Sequence, residues 1–382
     1  MDFAFNDQQE MIRTQAADFL KNECPMDLVR ELMESEHGHS EDLWGKMVAL
    51  GWTALPFPEE YGGLDLTFVD LAILLEEMGK VLLPGGYFST VVLGGLTLLA
   101  SASEQQKRQW LEPLAAGTLK ATLAVTEPAG RMNAAGITLR ADRQGEGYSL
   151  SGTKLFVPDA HTADLIICAA RTGECADPSQ GISLFALDRD STGLAVTPLP
   201  TLDQTRRLYE VTFDEVQLSG SRVLGEAGAA WPILETVLDK AAIGLSAEMV
   251  GGAQRMLDLS VGYARERIQF GRPIGSFQAI QHKCADMLIF TESARSAVYA
   301  AAWSAGQDNG DLAVQASIAK AYSSDAFRFV AGEGIQIHGG MGFTWEEVPH
   351  LYLKRAKTAE VALGDATYHR ERVASLIGLG MG

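Results

Sequence analysis

Apolar residues along this 382-residue chain change their spacing twice. From residue 1 to about 120 the period is helical. Asp7 with Glu10 makes a capping-box-like start, and Ile12, Ala16, Phe19 and Leu20 follow on one helix face. Ser103 with Gln106 repeats the capping signal before Trp110, Leu111 and Leu114. Pro56, Pro58, Gly62 and Gly63 mark a loop between the two. The stretch Val81 to Ala100 carries no charge and is just long enough to span a bilayer. Pro84, Gly85, Gly86, Gly94 and Gly95 interrupt it, Ser89 and Thr90 add hydroxyls, and no basic flank anchors it. It reads as a buried core helix.

Between about 121 and 225 the helical period disappears. Glycines at 145, 147, 152, 173, 181 and 193 separate short β-rich runs. DLIICAA (164–170) and GISLFAL (181–187) are apolar runs of strand length, and YEVTFDEV (209–216) alternates Tyr209, Val211 and Phe213 with polar residues. Strands broken by turns with no helix between them predict an antiparallel barrel or sandwich. From about 228 long helical patterns return, punctuated at Gly271–Gly275, Gly306–Gly310 and Gly339–Gly342. The expected architecture is α+β and multidomain: a helical domain over 1–120, a β domain over 121–227 and a four-helix-bundle domain over 228–382.

Composition narrows the partners. The chain is 47% hydrophobic and 21% charged, enough apolar material for more than one core, and its net charge is −18. That charge disfavours nucleic acid and anionic membranes as bulk partners but not a phosphate ligand held by a few arginines. Cys24, Cys168, Cys175 and Cys284 form no CxxC pair and read as free thiols of a reducing, cytoplasmic setting. The start MDFAFNDQQEM is acidic and lacks the layout of a signal peptide. A P-loop, a GxSxG elbow and HExxH are absent. His37 and His39 flank Gly38 without a further ligand at usable spacing, so a surface turn is expected and no metal site. His338 precedes Gly339–Gly340, but no nucleophile elbow accompanies it.

Two runs carry a resemblance. Arg267-Ile-Gln-Phe-Gly-Arg-Pro-Ile-Gly-Ser-Phe-Gln278 resembles the acyl-CoA dehydrogenase signature RxxFGxPIxxFQ, and Gln336-Ile-His-Gly-Gly-Met-Gly-Phe343 resembles that family's QxxGGxGF. Pro58-Glu-Glu-Tyr-Gly-Gly63 and Thr126-Glu-Pro128 add weaker matches in family order, so the resemblance spans essentially the whole chain. It implies FAD as cofactor, an acyl-CoA thioester as substrate, a homo- or heterotetramer, a role in lipid metabolism and electron-transfer flavoprotein as acceptor. The residue chemistry agrees. Arg267 offers a fork of donors to a pyrophosphate, Phe270 an apolar face, Gln278 and Gln336 neutral donor–acceptors, and Gly339 and Gly340 close backbone approach. Taken alone, a solvated helix charge is the lesser reading of Arg267, ordinary core packing the leading reading of Phe270, and a helix-ending turn an alternative for the glycines. Thr126 and Phe156 fall where the family's β domain meets the flavin ring.

The departures from the family are specific. Its members place a base carboxylate before a Gly-Thr pair or on the first bundle helix. By spacing, those positions here are Leu363 and Ala241, neither of which accepts a proton. Asp365 is the nearest carboxylate, more in keeping with a helix cap than a base, and Glu248 lies on another helix face. The TEPGAGSD run becomes Thr126-Glu-Pro-Ala-Gly-Arg-Met-Asn133, and a Trp-x-Thr becomes Phe156-Val-Pro158. The resemblance therefore implies that the residues offered to a neighbour's flavin are kept and those for the chain's own flavin partly lost. That is the pattern of a base-lacking partner in a heteromeric enzyme. A homomeric enzyme with a displaced base, and flavin oxygenation or desulfination on the same fold, remain as alternatives.

Overall fold

A computed structural model describes residues 5–307 and 310–379, so Met1 to Ala4 of the N-terminal run lie outside it. By internal contacts the chain forms two compact units. The first is assembled from 1–31, 67–83 and 239–382, the second from 32–66 and 84–238.

The first unit is helical. Its N-terminal pieces are α1 (Asp7–Glu23) and most of α2 (Met26–Glu34). The capping box of α1 sits one residue before the expected one, with Asn6 and Gln9 exchanging bonds of 2.9 and 3.2 Å. Asparagine's short amide takes the cap, leaving Asp7 and Glu10 in the first turn to favour the helix dipole. In the second unit α3 (Glu41–Ala49) is followed by 3₁₀ turns at 52–54 and 59–61. The chain then returns to the first unit as α4 (Phe68–Lys80), which opens on a Thr67–Asp70 capping box. Both faces of α4 are buried, from Leu71 through Gly79. The second unit resumes with α5 (Leu96–Ser101), α6 (Glu104–Gln106) and α7 (Glu112–Ala115).

The segment expected as a single core helix, Val81 to Ala100, is buried but not one helix. Leu82 has φ 53, Gly85 φ 84, and a π-helical turn covers Phe88–Gly95 before α5. Pro84 and the glycines supply the break. Among the described residues no helix is long and apolar enough to cross a membrane.

The β part of the second unit is a sheet in the order β6-β7-β3-β2-β4-β5-β8, with β1 beside β4. The strands are β1 (Ala121–Ala124), β2 (Arg140–Gln144), β3 (Gly147–Pro158), β4 (Leu165–Arg171), β5 (Ile182–Asp188), β6 (Leu194–Pro198), β7 (Leu208–Ser219) and β8 (Val223–Leu224). The sheet is mixed rather than purely antiparallel, because β1 and β2 both pair with β4 in parallel. β4 is buried on both faces, which is why its sequence is a continuous apolar run. Tyr209, Val211 and Phe213 of β7 face the core, as their alternation predicts.

The long helices α8 (Trp231–Glu266), α9 (Gln278–Ser304) and α10 (Leu312–His338) are joined by α11 (Pro349–Val361) and α12 (Ala366–Ala374). Within the first unit α4 meets α8 backbone to backbone. A Cβ on Gly251 would lie 1.9 Å from the Glu76 carbonyl oxygen, and one on Gly79 2.1 Å from that of Glu248. A two-stranded hairpin, β9 (Ile268–Gln269) and β10 (Arg272–Pro273), links α8 to α9.

Candidate functional site

At one end of the bundle the C-termini of α8 and α10 converge with the N-terminus of α9. Tyr263 stacks on His338 at 4.5 Å between ring centroids, and Lys283 pairs with Glu333. All six positions singled out on this unit are exposed: Arg267, Phe270, Gln278, Gln336, Gly339 and Gly340. Phe270 is 92% exposed at the tip of the β9–β10 hairpin. Phe270 and Gly271 have φ of 54 and 79, the double left-handed pair of a tight two-residue hairpin turn. Asparagine normally precedes the glycine there. Placing an aromatic ring instead costs backbone strain and leaves a large apolar face uncovered.

Gly339 closes α10 at φ 61 and ψ −141, a conformation essentially confined to glycine. A Cβ built on Gly339 or Gly340 would meet nothing within 4 Å, so backbone there is open to close approach. His338 is buried, its Nδ1 2.7 Å from the Gly334 carbonyl, and is part of the packing. An exposed guanidinium, an uncovered aromatic ring, two exposed amides and bare glycine backbone together fit a dinucleotide with a charged pyrophosphate.

In the second unit Thr126 is half-buried, and its carbonyl accepts the Leu155 N–H at 2.8 Å. The β3–β7 register shifts between Lys154 and Val157, and this bulge contains Phe156. Phe156 is 55% exposed with φ 56, so a second bulky ring is held out by left-handed backbone. Beneath it Lys154, fully buried, donates to Glu127 at 2.7 Å and to the Val125 carbonyl at 3.0 Å. Glu127 also accepts from the N–H groups of Thr138 and Leu139 and from the Thr138 hydroxyl. Burial pushes the Glu127 carboxyl up, but Lys154 and these donors outweigh it and hold it below the usual value. The ion pair braces the backbone on either side of Thr126.

The two base positions lie on the first unit and hold no carboxylate. Ala241 is fully buried on α8. Two residues earlier, Asp239 is gripped by both terminal nitrogens of Arg372. Leu363 sits in the α11–α12 turn with φ 58, followed by Gly364 at φ 95. Its carbonyl accepts from His369 Nε2 at 2.9 Å, while its N–H makes no hydrogen bond to a described residue. Asp365 caps α12, accepting the Tyr368 N–H at 2.8 Å. Glu248 is buried.

Lys320, which the helical pattern of α10 hides, is fully buried beneath this turn. Its ammonium donates to the carbonyls of Gly364 at 2.8 Å and Glu360 at 3.1 Å and to Ser324 Oγ at 3.0 Å. Only its neighbours Ala316, Ala319 and Ala321, too small to cover a charge by themselves, hint at this in the sequence.

Among the described residues no group of three His, Cys, Asp or Glu could hold a metal, and all four cysteines are free. The His37 turn is more enclosed than a solvated loop. His37 Nδ1 lies 3.1 Å from His161 Nε2, which stacks on Tyr209, and the His39 side chain is only 6% exposed.

Fold and site together define a flavoprotein oxidoreductase of helix–β–helix plan. Residues 6–118, 122–216 and 228–377 match the N-terminal, middle and C-terminal domain models of acyl-CoA dehydrogenases. The chain belongs to the acyl-CoA dehydrogenase family, whose members are FAD-dependent oxidoreductases acting on CH–CH donors. It is 33% identical over 378 residues to a probable acyl-CoA dehydrogenase, YngJ, of Bacillus subtilis, covering 98% of this chain and 99% of the relative. The butyryl-CoA dehydrogenase structure from Megasphaera elsdenii superposes with a TM-score of 0.92 at 28% identity, over 99% of this chain and 100% of that one. A chain of the ChsE4-ChsE5 complex from Mycobacterium tuberculosis gives 0.90 at 26% identity, with 100% of both chains covered.

Proposed function

We propose that the chain is a flavin-supporting subunit of a heteromeric acyl-CoA dehydrogenase. It presents Arg267, Phe270, Gln278, Gln336, Gly339 and Gly340 to the FAD of a neighbouring subunit and carries no base of its own. The carrying observation is that both base positions, Leu363 and Ala241, are apolar while Asp365 and Asp239 are engaged by a helix cap and by Arg372. The heteromeric relative supports the assembly. When bound, FAD accepts the hydride from the acyl β-carbon. The chain's own residues bind it, expose or cover it, and hold the thioester oxygen at the Leu363 N–H. The three-part division at 120 and 227, a cytoplasmic location and electron-transfer flavoprotein as acceptor belong to the same reading.

A second reading, that the chain also holds a flavin of its own, is favoured by Phe156, which the bulge keeps exposed at a strain cost. Flavin-to-chain ratio and turnover of butyryl-CoA with an artificial electron acceptor separate the two. The isolated chain is expected to run about 10²–10⁴ below a base-bearing dehydrogenase, the usual cost of losing a positioned base. Turnover at ordinary rates by the chain alone would overturn the proposal.

A further inference from the structure

A fully buried lysine needs a reason, since taking an ammonium out of water costs several kcal/mol unless its donors are met. Lys320 has three hydrogens and three acceptors: the Gly364 and Glu360 carbonyls and Ser324 Oγ. Two of these flank Leu363 in sequence, and His369 takes the Leu363 carbonyl itself. The turn therefore has its carbonyls bound from the side of α10 and α12, while the Leu363 N–H is left over.

We propose that Lys320 is a positioning residue. By tying down the Glu360 and Gly364 carbonyls it holds Leu363 in the left-handed conformation that leaves the Leu363 N–H free for the oxygen of an acyl thioester. This rests on the acyl-CoA reading above.

The same geometry makes the tie sensitive to pH. An ammonium satisfies all three acceptors. A neutral amine has two hydrogens, which reach both carbonyls only if Ser324 turns to donate to it, and both of those bonds lose their charge and weaken. Burial pulls the Lys320 pKa down to about 7, and Asp365 and Glu360 keep it from falling further. The other charged groups around it are engaged with partners of their own. Arg372 is paired with Asp239, and Glu360 with Arg328 and Lys357. His369 is held down to about 4 by burial. The local and global effects have opposite signs. The folded pKa lies below the ordinary 10.5, so between pH about 7 and 10.5 the unfolded chain binds more protons and this group's contribution to stability rises with pH. The turn, by contrast, loosens as pH rises through 7.

The experiment uses the full chain with Lys320→Met and Lys320→Arg. Butyryl-CoA affinity is measured by calorimetry at pH 6 and 8.5, and hydrogen-exchange protection is followed at Ala362, Tyr368 and His369. Wild type is expected to bind about tenfold more weakly at pH 8.5, the weight of one hydrogen bond to a charged group. Lys320→Arg should bind independently of pH. Lys320→Met should bind weakly at both pH values, with lowered protection confined to this turn. Unchanged protection and affinity in Lys320→Met would overturn the positioning role. So would a pH dependence that survives in Lys320→Arg. Lowered protection in a chain that binds no butyryl-CoA at either pH would retain the tie and overturn the acyl-thioester reading instead.

Discussion

Leucine and phenylalanine avoid left-handed backbone because their Cβ crowds the following carbonyl, at roughly 1–2 kcal/mol per residue. Seven non-glycine residues nonetheless adopt positive φ among the described residues, and three of them are Phe156, Phe270 and Leu363. That three positions picked out by motif coincide with strained backbone argues that the conformation serves a site. Replacing Phe270 with Asn, the residue such a turn prefers, should leave the stability of the flavin-free chain, read by urea denaturation, unchanged or raise it by up to about 1 kcal/mol. Flavin retained per assembled complex should fall, as absorbance after gel filtration would show. Leu363→Glu should fold, since the backbone already accommodates a side chain there. Turnover of butyryl-CoA should stay within a few-fold of the parent, because a base works only against a positioned substrate and acceptor. A large gain from that single change would show a complete active site and remove the partner-subunit reading. The motifs were legible in the sequence; the strain was not, because neither Phe nor Leu signals φ. Lys320 was missed for a related reason, as a lysine at helical spacing reads as solvated.

Elements explain which expectations held. β4, β5 and β7 follow from apolar runs and alternation, since one strand face or both must be covered. The parallel pairings of β1 and β2 with β4 were not legible, because strand order is set by tertiary packing and not by local pattern. The polar core of this sheet has its own prediction. Glu127 is held below its ordinary value, so its contribution to stability is complete above pH 4.5 and is lost as pH falls through the lower folded value. Urea midpoints measured from pH 6 down to 3.5 should fall over that lower window. Lys154→Met leaves the carboxylate buried without its cation and should cost about 3–5 kcal/mol. In that variant the acid loss should begin at higher pH, because the influence holding the carboxyl down has gone.

For the molecule as a whole, the proposed function gives the exposed residues at the end of the bundle to a flavin shared with a second subunit. Arg267→Ala removes a charge-assisted donor worth roughly 1.5–3 kcal/mol. It should therefore lower flavin occupancy in the assembled complex by about tenfold or more at limiting flavin. Light scattering on the same samples checks the assembly; a monomer at micromolar concentration with flavin fully retained would contradict the shared-site view. The meeting of α4 and α8 through Gly79 and Gly251 bears on how the chain is made. Arg295 reaches back to Glu76 across 219 residues, and the Tyr352 hydroxyl to the Lys80 carbonyl across 272. At about 5–20 residues per second, roughly ten seconds to a minute separates the emergence of α4 from the ribosome and the arrival of those partners. Throughout that interval α4, buried on both faces in the folded chain, has mainly α1 of its own unit to lie against. Synthesis from the N-terminus thus leaves much of α4 uncovered until α8 and α9 arrive, and the yield of folded chain should depend on what shelters α4 while the ribosome finishes.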